Sequence, residues 1–420
     1  MMSNTYKVKQ RTMLSEAQVL SRRKAYLVIG AFGLLFAGII YAWAILKEPL
    51  AKEFNWNSSQ LAFNYTLTLM VNCLGNLLAG VLSKKLPRQA IIAGSATLLM
   101  LGFTLSSGLT GDSIVKLYIC YGCMCGLGIG TFTVAINGLV GDWFPEKKGL
   151  CSSILQIGFG SSALIIGGIA DKFIHMPAVG WRKVYLALGL LTGLTLYLVA
   201  FLVKSPSPNA PLPETANAAP KVKASPGTAE ITLGQMVRRR GFQKYYLFCF
   251  LIYCIGSTVI GLATDIFYGI NASASTAVFL VGLISVFNLF GRFTVGIVFD
   301  KFGWRKVLLY AVTLAASGIL LLTVSFAVRS IPVSAVAVCL IGASYGCIPS
   351  STSPIIREAF GDRNFSSNYS VALTSAMPAS FMATFAGMIL TGGGSYYLIF
   401  AIFALFAAAA FALYINTKQL

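Results

Sequence analysis

The chain has 420 residues, of which 56% are hydrophobic and only 11% are charged, and its mean hydropathy is +0.76. A soluble domain of this length does not need so much apolar surface, so the composition excludes a soluble globular protein and indicates a membrane protein. The formal net charge of +19 would suit nucleic-acid binding, but the positions of the basic residues favour another explanation.

Apolar runs of about 20 residues recur along the chain, and each is long enough to cross a hydrocarbon layer of about 30 Å. Unpaired backbone groups are too costly in lipid, so runs of this length must be helical. The first run is too long for a cleavable signal peptide and has no convincing cleavage site. The sequence therefore predicts an all-α membrane protein with twelve transmembrane helices, at 25–46, 61–82, 90–108, 114–137, 149–170, 182–203, 245–268, 276–299, 306–328, 332–354, 368–390 and 395–414.

Basic residues concentrate on one side of this predicted topology. With the N-terminus in the cytoplasm, the inner segments hold 24 of the 32 lysines and arginines, and the outer loops hold 7. This bias is the positive-inside pattern, which places both termini in the cytoplasm. It predicts a multi-pass protein of the plasma or inner membrane, whose charge serves topology and contact with anionic lipids rather than binding to nucleic acid.

The longest polar stretch, 204–244, is rich in Pro, Ala and Ser and is typical of a flexible linker. Its last part, 231–240, predicts a short basic helix at the membrane surface. The linker divides the twelve helices six and six, which suggests two homologous halves. The predicted parts are a cytoplasmic tail 1–24, an N-terminal bundle 25–203, the linker 204–244, a C-terminal bundle 245–414 and a tail 415–420.

A loop of the first half recurs in the second half. The stretch at 80–88, GVLSKKLPR, corresponds to GIVFDKFGWRK at 296–306. Such an internal echo is expected of two structurally equivalent bundles. In the first copy, Lys84 stands where the second has Asp300, and Pro87 stands where the second has Gly303.

Arg292 is the one charged residue deep inside a predicted helix, about 24 Å from the outer end by the helical rise. A charge at such depth costs roughly 2.5–3.5 kcal/mol on insertion scales, so an anion is expected to meet it. Its planar guanidinium suits a carboxylate, and Asn288 shares its helix face. Asp265 is the only acid that could compete, but it lies only about 5 Å from the outer end, too far away to pair.

The loop at 296–306 resembles the G-x-x-x-D-K-x-G-x-R-K signature of the major facilitator superfamily. The resemblance implies a major facilitator fold, with two pseudo-symmetric six-helix bundles that rock about a central site. The first-half copy departs from the signature, which has Asp at the position of Lys84. Gate or conformational roles are implied for Gly296, Asp300, Lys301, Gly303 and Arg305.

A narrower resemblance rests on Gly38–Trp43, Asp142–Leu150 and Asn288–Arg292, read with Gly158 and Gly160. These segments are similar to the oxalate/formate antiporter family and its monocarboxylate transporter relatives. The resemblance implies a substrate site of Arg292, Asn288, Tyr41 and Tyr345, with Arg292 binding a carboxylate. We add, as further residues lining the site, Thr374, Ser375, Tyr121 and Gln156.

Three departures from those relatives bear on the substrate. The oxalate carrier has a second buried lysine where Ala376 or Met377 stands here, and animal monocarboxylate transporters have one at the position of Ile45. One buried cation balances one carboxylate, which favours a monocarboxylate such as lactate, pyruvate or formate over oxalate. Asn288 replaces an aspartate that is often linked to proton transport, which favours exchange over symport.

The sequence thus predicts a secondary transporter for a small organic anion, acting as an antiporter and as a monomer. No nucleophile–base pair or metal-ligand group stands out, so we expect no enzyme activity, catalytic residue, metal or cofactor. Proton-coupled symport with protons as a second partner, oxalate/formate exchange and a carboxylate sensor that does not transport remain open as alternatives.

Overall fold

The computed structural model of the protein describes residues 16–111, 113–206 and 231–420; the N-terminal tail as far as residue 15 and linker residues 207–230 lie outside it. All regular secondary structure in the described ranges is helical. The helices are α1 (Glu16–Ala37), α2 (Trp43–Phe54), α3 (Ser58–Leu82), α4 (Arg88–Ser107), α5 (Ile114–Leu117), α6 (Gly126–Gly141), α7 (Lys148–Ser162), α8 (Gly168–Ile174), α9 (Gly180–Leu202), α10 (Leu233–Arg238), α11 (Arg240–Gly261), α12 (Ala263–Gly269), α13 (Ala274–Val328), α14 (Ile331–Phe360), α15 (Phe365–Leu373), α16 (Ala376–Ala379), α17 (Phe381–Thr391) and α18 (Tyr396–Asn416).

Eleven helical segments of the described chain are long and apolar enough to cross a membrane. One of them, Phe279–Val328, has 50 residues and would extend about 75 Å as a straight helix, more than twice the hydrocarbon thickness. It contains Gly303, whose φ of 75° and ψ of 176° are not helical. The two helices predicted at 276–299 and 306–328 lie on either side of this bend, so the short connection expected between them is a kink. The count of twelve stays a prediction.

The helices form two halves, residues 16–206 and 231–420, which meet along α7 and α13, α7 and α14, and α3 and α15. We call the end that carries the loops 83–87, 142–147 and 361–364 the basic end; it is the end that the sequence places in the cytoplasm. Hydrogen bonds between the two halves lie at the basic end and at Arg292. The halves are therefore closed against each other on the basic side.

Several membrane helices are irregular near their middle. The segment between α1 and α2, Gly38–Ala42, is a 3₁₀ helix, and α7 continues as a π-helix at Ala163–Gly167. A Cβ on Gly38 would lie 2.1 Å from the carbonyl oxygen of Phe159, so only glycine allows this close approach of the two helices. Departures from α-helical geometry in the middle of a helix often mark functional sites.

The short helix predicted within 231–240 is confirmed as α10, Leu233–Arg238. Thr232 and Gln235 form a capping box at its start. The residue before the cap, Ile231, is tied to the second half, because its N–H donates to the carbonyl of Phe360 at 3.3 Å and its carbonyl accepts from Asn368 at 3.0 Å. The end of the linker is therefore docked onto the second half.

The end of the first half opposite the basic end is held by an ion pair around Glu53. One carboxylate oxygen accepts from the indole N–H of Trp181 at 2.5 Å, and the other accepts from Arg182 at 2.7 Å. Arg182 also donates to the carbonyls of Ser107 at 3.1 Å and Leu109 at 2.6 Å. The cluster joins the ends of α2, α4 and α9.

This cluster predicts a modest loss of stability in acid. The Trp181 hydrogen bond, followed by Arg182, lowers the pKa of Glu53 below its usual value. A lowered pKa in the folded protein means that the stabilisation is complete above the unfolded-state value of about 4.3 and is lost as the pH falls through the folded-state value. Because the side chains are 43% exposed, we expect the effect to be about 1 kcal/mol or less. Thermal unfolding of purified protein between pH 7 and pH 3.5 should show a smaller acid-induced loss in Glu53→Gln than in the wild type.

Candidate functional site

The guanidinium of Arg292 lies between the two halves of the molecule. Arg292 is in α13 and is only 1% exposed. Its Nε donates to the Oδ1 atom of Asn288 at 2.9 Å, one turn earlier on the same helix. One terminal nitrogen, Nη1, crosses to α7 of the first half, where it donates to the main-chain carbonyl of Gln156 at 3.0 Å and to the Gln156 side-chain oxygen at 3.2 Å.

A glycine makes room for this contact. A Cβ on Gly160 would lie 3.1 Å from the Arg292 Nε atom, 3.2 Å from Cζ and 2.8 Å from a methyl group of Leu289. Any larger residue at this position would press on the guanidinium from the first half. The sequence singled out Gly160 only as part of a glycine-rich stretch, and the structure gives it a steric role beside Arg292.

The second terminal nitrogen of Arg292, Nη2, makes no hydrogen bond within the described residues. No acidic side chain of that part of the chain forms an ion pair with Arg292 either. The guanidinium thus has only neutral oxygens as partners among the described residues and keeps two N–H groups free. Such an arrangement can accept a carboxylate.

Four tyrosines from four helical segments surround the same region. Tyr41 comes from the 3₁₀ segment, Tyr65 from α3, Tyr253 from α11 and Tyr345 from α14. Tyr253 and Tyr345 both lie near Arg292 and Tyr41, and Tyr345 also lies near Tyr65. None of the four hydroxyls forms a hydrogen bond within the described residues, so all four are available to a ligand.

Ring packing fixes the orientation of these tyrosines. Tyr41 meets Phe159 edge to face, with ring centroids 5.4 Å apart, and Tyr345 meets Tyr253 in the same way at 5.4 Å. The sequence predicted Tyr41 and Tyr345 as site residues but missed Tyr65 and Tyr253. A signal was present, because a tyrosine in the middle of a membrane helix places its hydroxyl in protein or in a cavity rather than in lipid.

The other residues predicted to line the site lie in different surroundings. Tyr121 is buried in the first half, where its ring packs against Trp43 at 4.6 Å and Phe103 at 5.4 Å. Thr374 shares a hydrogen bond of 3.0 Å with the hydroxyl of Tyr246. Ser375 donates to the carbonyl of Ala372 at 2.8 Å. Thr374 and Ser375 form the break between α15 and α16. Of the four residues added to the site from the sequence, Gln156 is the one that contacts Arg292.

Below Arg292, α7 and α13 are joined again at the basic end. The carboxylate of Asp300 accepts from the backbone N–H groups of Gly149 at 2.8 Å and Leu150 at 2.9 Å, and so caps the first turn of α7. Close contact at this crossing requires glycine on both helices, since a Cβ on Gly149 would lie 2.6 Å from the carbonyl oxygen of Gly296. Asp300 therefore holds the start of a first-half helix from the second half.

The remaining residues of the predicted gate lie on the outside of this contact. Lys301 is exposed, and Gly303 supplies the bend in α13. Arg305 packs over the ring of Tyr414 at 5.7 Å, within the second half. In the first-half copy of the loop, Lys84 is exposed and cannot replace the Asp300 cap, since an ammonium group has no acceptor.

Replacing Asp300 with asparagine should loosen the start of α7. The amide oxygen can accept from one or both N–H groups, but it lacks the negative charge that favours a helix N-terminus, so we expect a loss of about 1–2 kcal/mol at this contact. Hydrogen exchange of peptides covering 147–155 should become faster in Asp300→Asn. Lys301→Ala, one residue further along and exposed, is the matched control and should leave that exchange unchanged.

The sequence did not predict another contact between the halves, at Arg357. Arg357 of α14, only 4% exposed, donates to Asp142 of the first half at 2.9 Å and to Asp362 at 2.6 Å. It also donates to the carbonyls of Asn137 at 3.2 Å and Gly138 at 3.0 Å. The sequence counted Arg357 only as an inner-loop charge, because its partner Asp142 lies 215 residues away.

Residues 27–268, more than half of the chain, match the sequence family described as the Major Facilitator Superfamily. The chain belongs to the major facilitator superfamily. The superfamily that the sequence suggested is thereby confirmed, and with it the assignment to a family of multi-pass membrane transporters.

Among major facilitator proteins with curated descriptions, an uncharacterised transporter, YhjX, from Escherichia coli strain K12 is 28% identical over 82% of this chain and 82% of its own length. The oxalate:formate antiporter of Oxalobacter formigenes is 25% identical over 83% of this chain and 81% of its own. Rat monocarboxylate transporter 2 is 24% identical over 86% of this chain and 76% of its own.

Two solved major facilitator structures share the fold. The proton:xylose symporter XylE, bound to 6-bromo-6-deoxy-D-glucose, superposes with a TM-score of 0.73 over 94% of this chain and 95% of its own, at 17% identity. FucP in its outward conformation gives a TM-score of 0.70 over 94% of this chain and 99% of its own, at 18% identity. At such identities the likeness establishes the all-helical transporter fold and not the substrate.

Proposed function

We propose that the protein carries a small monocarboxylate, of the formate, lactate or pyruvate class, across the membrane by alternating access, and that it acts as an exchanger. Arg292 binds the carboxylate in this proposal. Asn288 orients the guanidinium, and Tyr41 and Tyr345, with Tyr65 and Tyr253, enclose the rest of the substrate. The protein is a transporter in this view and not an enzyme.

One observation carries the proposal. Three arginines of the described chain are buried, namely Arg23, Arg292 and Arg357. Arg23 pairs with Glu146, and Arg357 pairs with Asp142 and Asp362. Arg292 alone lacks an acidic partner within the described residues. A buried charge without a counter-charge is costly, so its retention is best explained by an anion that is not part of the protein.

The surroundings of Arg292 favour one carboxylate over two. The only cation in the described central region is this guanidinium, and it neutralises a single negative charge. A dianion would leave a net charge of −1 in a site of low dielectric, which tyrosine hydroxyls offset only in part. The tyrosine rings offer apolar walls with hydroxyl groups, which suits a small organic acid.

The names of two relatives support the same substrate class. One relative is described as an oxalate:formate antiporter and another as a monocarboxylate transporter. Both descriptions concern small carboxylates, and both proteins align with most of this chain. At identities of 25% and 24%, these descriptions support the substrate class that we propose for this chain.

The arrangement of contacts supports alternating access. The halves are bound together at the basic end by Asp300 and Arg357, and by Arg292 at about 10 Å from the Gly149 cap along α7. These contacts all lie between the basic end and the level of Arg292. We infer that this conformation is closed towards the cytoplasm and admits substrate from the other side. Reorientation then requires the contacts at the basic end to break.

We further propose that the protein lies in the plasma or inner membrane, with both termini in the cytoplasm, and functions as a monomer in contact with anionic lipid. The bias of 24 basic residues on one side against 7 on the other supports this orientation. In this orientation the basic end, with Arg357, Asp142 and Asp300, lies at the cytoplasmic surface and forms the inner gate.

Counterflow in liposomes tests the proposal. Purified protein is reconstituted with an unlabelled acid inside, and the uptake of labelled formate, lactate, pyruvate or oxalate is measured with the membrane potential clamped. We expect rapid uptake of at least one monocarboxylate, slower uptake of oxalate, and little uptake from vesicles without internal substrate. Lactamide, which is neutral and close in shape to lactate, is the matched control and should not exchange.

The other outcomes separate the alternatives. Oxalate uptake that exceeds that of every monocarboxylate would assign oxalate/formate exchange. Uptake driven by an imposed pH gradient without internal substrate would assign proton symport. Binding of a carboxylate without any counterflow would assign a sensor. Each of these three results contradicts the proposed monocarboxylate exchange.

A further inference from the structure

The first half of the molecule supplies two oxygen atoms to Arg292. Both belong to Gln156, whose side-chain oxygen lies 3.2 Å from Nη1 and whose main-chain carbonyl oxygen lies 3.0 Å from the same nitrogen. Gln156 is 3% exposed and Arg292 is 1% exposed, so the contact is shielded from bulk water. Both oxygens accept from Nη1, so they occupy one of the nitrogens that a carboxylate could use.

The N–H groups of the guanidinium limit what else can bind. Nε is taken by Asn288 and Nη1 by Gln156, which leaves the two N–H groups of Nη2. A carboxylate that binds in the parallel, two-point mode needs N–H groups on two different nitrogens. Such binding therefore requires either Nε to release Asn288 or Nη1 to release at least one of its bonds to Gln156, and only the second exchange acts on a contact between the two halves.

We propose that Gln156 is a positioning residue that occupies the carboxylate-binding edge of Arg292 in the unloaded carrier and is displaced when the substrate binds. The inference rests on the proposed function and refines the expectation that Gln156 lines the site. In this proposal Gln156 competes with the substrate for the guanidinium of Arg292 and does not itself contact the substrate.

This competition links binding to movement. Gln156 lies on α7, the same helix whose first turn is held by Asp300, so Arg292 and Asp300 connect α13 to α7 at two levels. Displacing the Gln156 side chain weakens the upper connection and leaves the lower one. Substrate binding thus weakens the attachment between the halves, which favours opening of the basic end only in the loaded carrier.

Gln156 is neutral, so the unloaded Arg292 retains a net positive charge beside it. This residual charge hinders closure of the empty site and favours exchange over net transport. A carboxylate at position 156 would act as a built-in counter-ion, so the empty site would also be neutral. The difference in net charge between the empty and the loaded carrier would then be lost. The identity of residue 156 therefore sets both the affinity for substrate and the ratio of exchange to net flux.

Two substitutions test the inference in reconstituted protein with labelled formate, lactate and pyruvate. Gln156→Met keeps the main-chain contact and most of the side-chain volume but removes the competing oxygen. We expect its KM for exchange to fall by about three- to tenfold. Gln156→Glu, nearly identical in shape, should raise KM by at least about tenfold and bring net efflux close to the rate of exchange.

The direction of the KM change shows whether the Gln156 side chain competes with the substrate or contacts it. A raised KM in Gln156→Met would mean that the amide contacts the substrate and would overturn the inference while leaving the proposed function intact. An unchanged ratio of exchange to net flux in Gln156→Glu would also overturn it. Wild-type protein that exchanges none of the monocarboxylates would remove the proposed function and the inference together. Asn288→Asp places an acid on the other side of Arg292 and serves as the comparison for charge alone.

Discussion

Replacing Arg292 with alanine is expected to abolish carboxylate exchange, by at least about a hundredfold, without reducing the stability of the folded protein. The loss follows because a charge-assisted contact in a desolvated site contributes about 2–5 kcal/mol to binding. Counterflow of labelled monocarboxylate in liposomes measures the first effect. Thermal unfolding of the purified protein measures the second.

The expected stability distinguishes a functional arginine from a structural one. Arg292 has hydrogen bonds to Asn288 and Gln156 but no acidic partner in the described chain. Removing it relieves a desolvation cost of roughly 2.5–3.5 kcal/mol. It also removes the donor from the side-chain oxygens of Asn288 and Gln156, which costs about 1–3 kcal/mol for each oxygen that stays buried. The two terms nearly cancel, whereas loss of an arginine that chiefly supports the fold would lower the unfolding temperature clearly.

Lysine at the same position separates charge from geometry. Arg292→Lys keeps the positive charge but has a single nitrogen and no planar fork, so we expect severe loss of exchange. Arg238→Ala, an exposed arginine in the short helix α10, is the matched control and should behave as the wild type. Exchange at the wild-type rate in Arg292→Ala would contradict the assignment of this residue to the substrate.

The sequence was sufficient for the class of fold because the helices of a membrane protein follow from local composition. Apolar runs predict helices wherever backbone groups must be paired, and the loop at 296–306 pointed to the superfamily. The positions of breaks within helices were less accessible. The bend at Gly303 lies where the sequence predicted a connection, but nothing in the sequence indicated the 3₁₀ segment Gly38–Ala42 or the π-helix Ala163–Gly167.

The candidate site was predictable where its residues share a helix. Asn288 and Arg292 are four residues apart, so their hydrogen bond follows from helical periodicity. Contacts between the halves could not be derived in this way. The bonds from Arg292 to Gln156 and from Arg357 to Asp142 join residues 136 and 215 positions apart, and they depend on which helices pack together. A single sequence carries no local signal for that pairing.

Replacing Arg357 with alanine is expected to open the basic end. The side chain joins the second half to Asp142 and to two carbonyls of the first half, and no other arginine of the described chain crosses between the halves there. Breaking a buried pair costs 3–5 kcal/mol, but Asp142 is 25% exposed and Asp362 is 58% exposed. We therefore expect a shift of about 1–3 kcal/mol, or roughly 5- to 150-fold, towards the inward-open state.

Cys151 reports on this opening. It is 2% exposed and lines a small cavity between the halves together with Arg357 and Ser152. In a variant in which Cys151 is the only cysteine, a membrane-impermeant thiol reagent supplied at the basic end should label Arg357→Ala much faster than its parent. Saturating substrate should narrow the difference, because the loaded carrier already visits the open state.

Arg88→Ala is the matched control for the gate. Arg88 pairs with the same Asp142 carboxylate, but both residues belong to the first half, so its loss removes a charge without separating the halves. Labelling of Cys151 should therefore change little in Arg88→Ala, and Asp142→Asn should resemble Arg357→Ala. In the double variant, Asp142→Asn with Arg357→Ala, the two effects should fall well short of adding, because both substitutions break one contact. Equal labelling in Arg88→Ala and Arg357→Ala would mean that general loss of charge at the basic end, and not the contact across the halves, keeps that end closed.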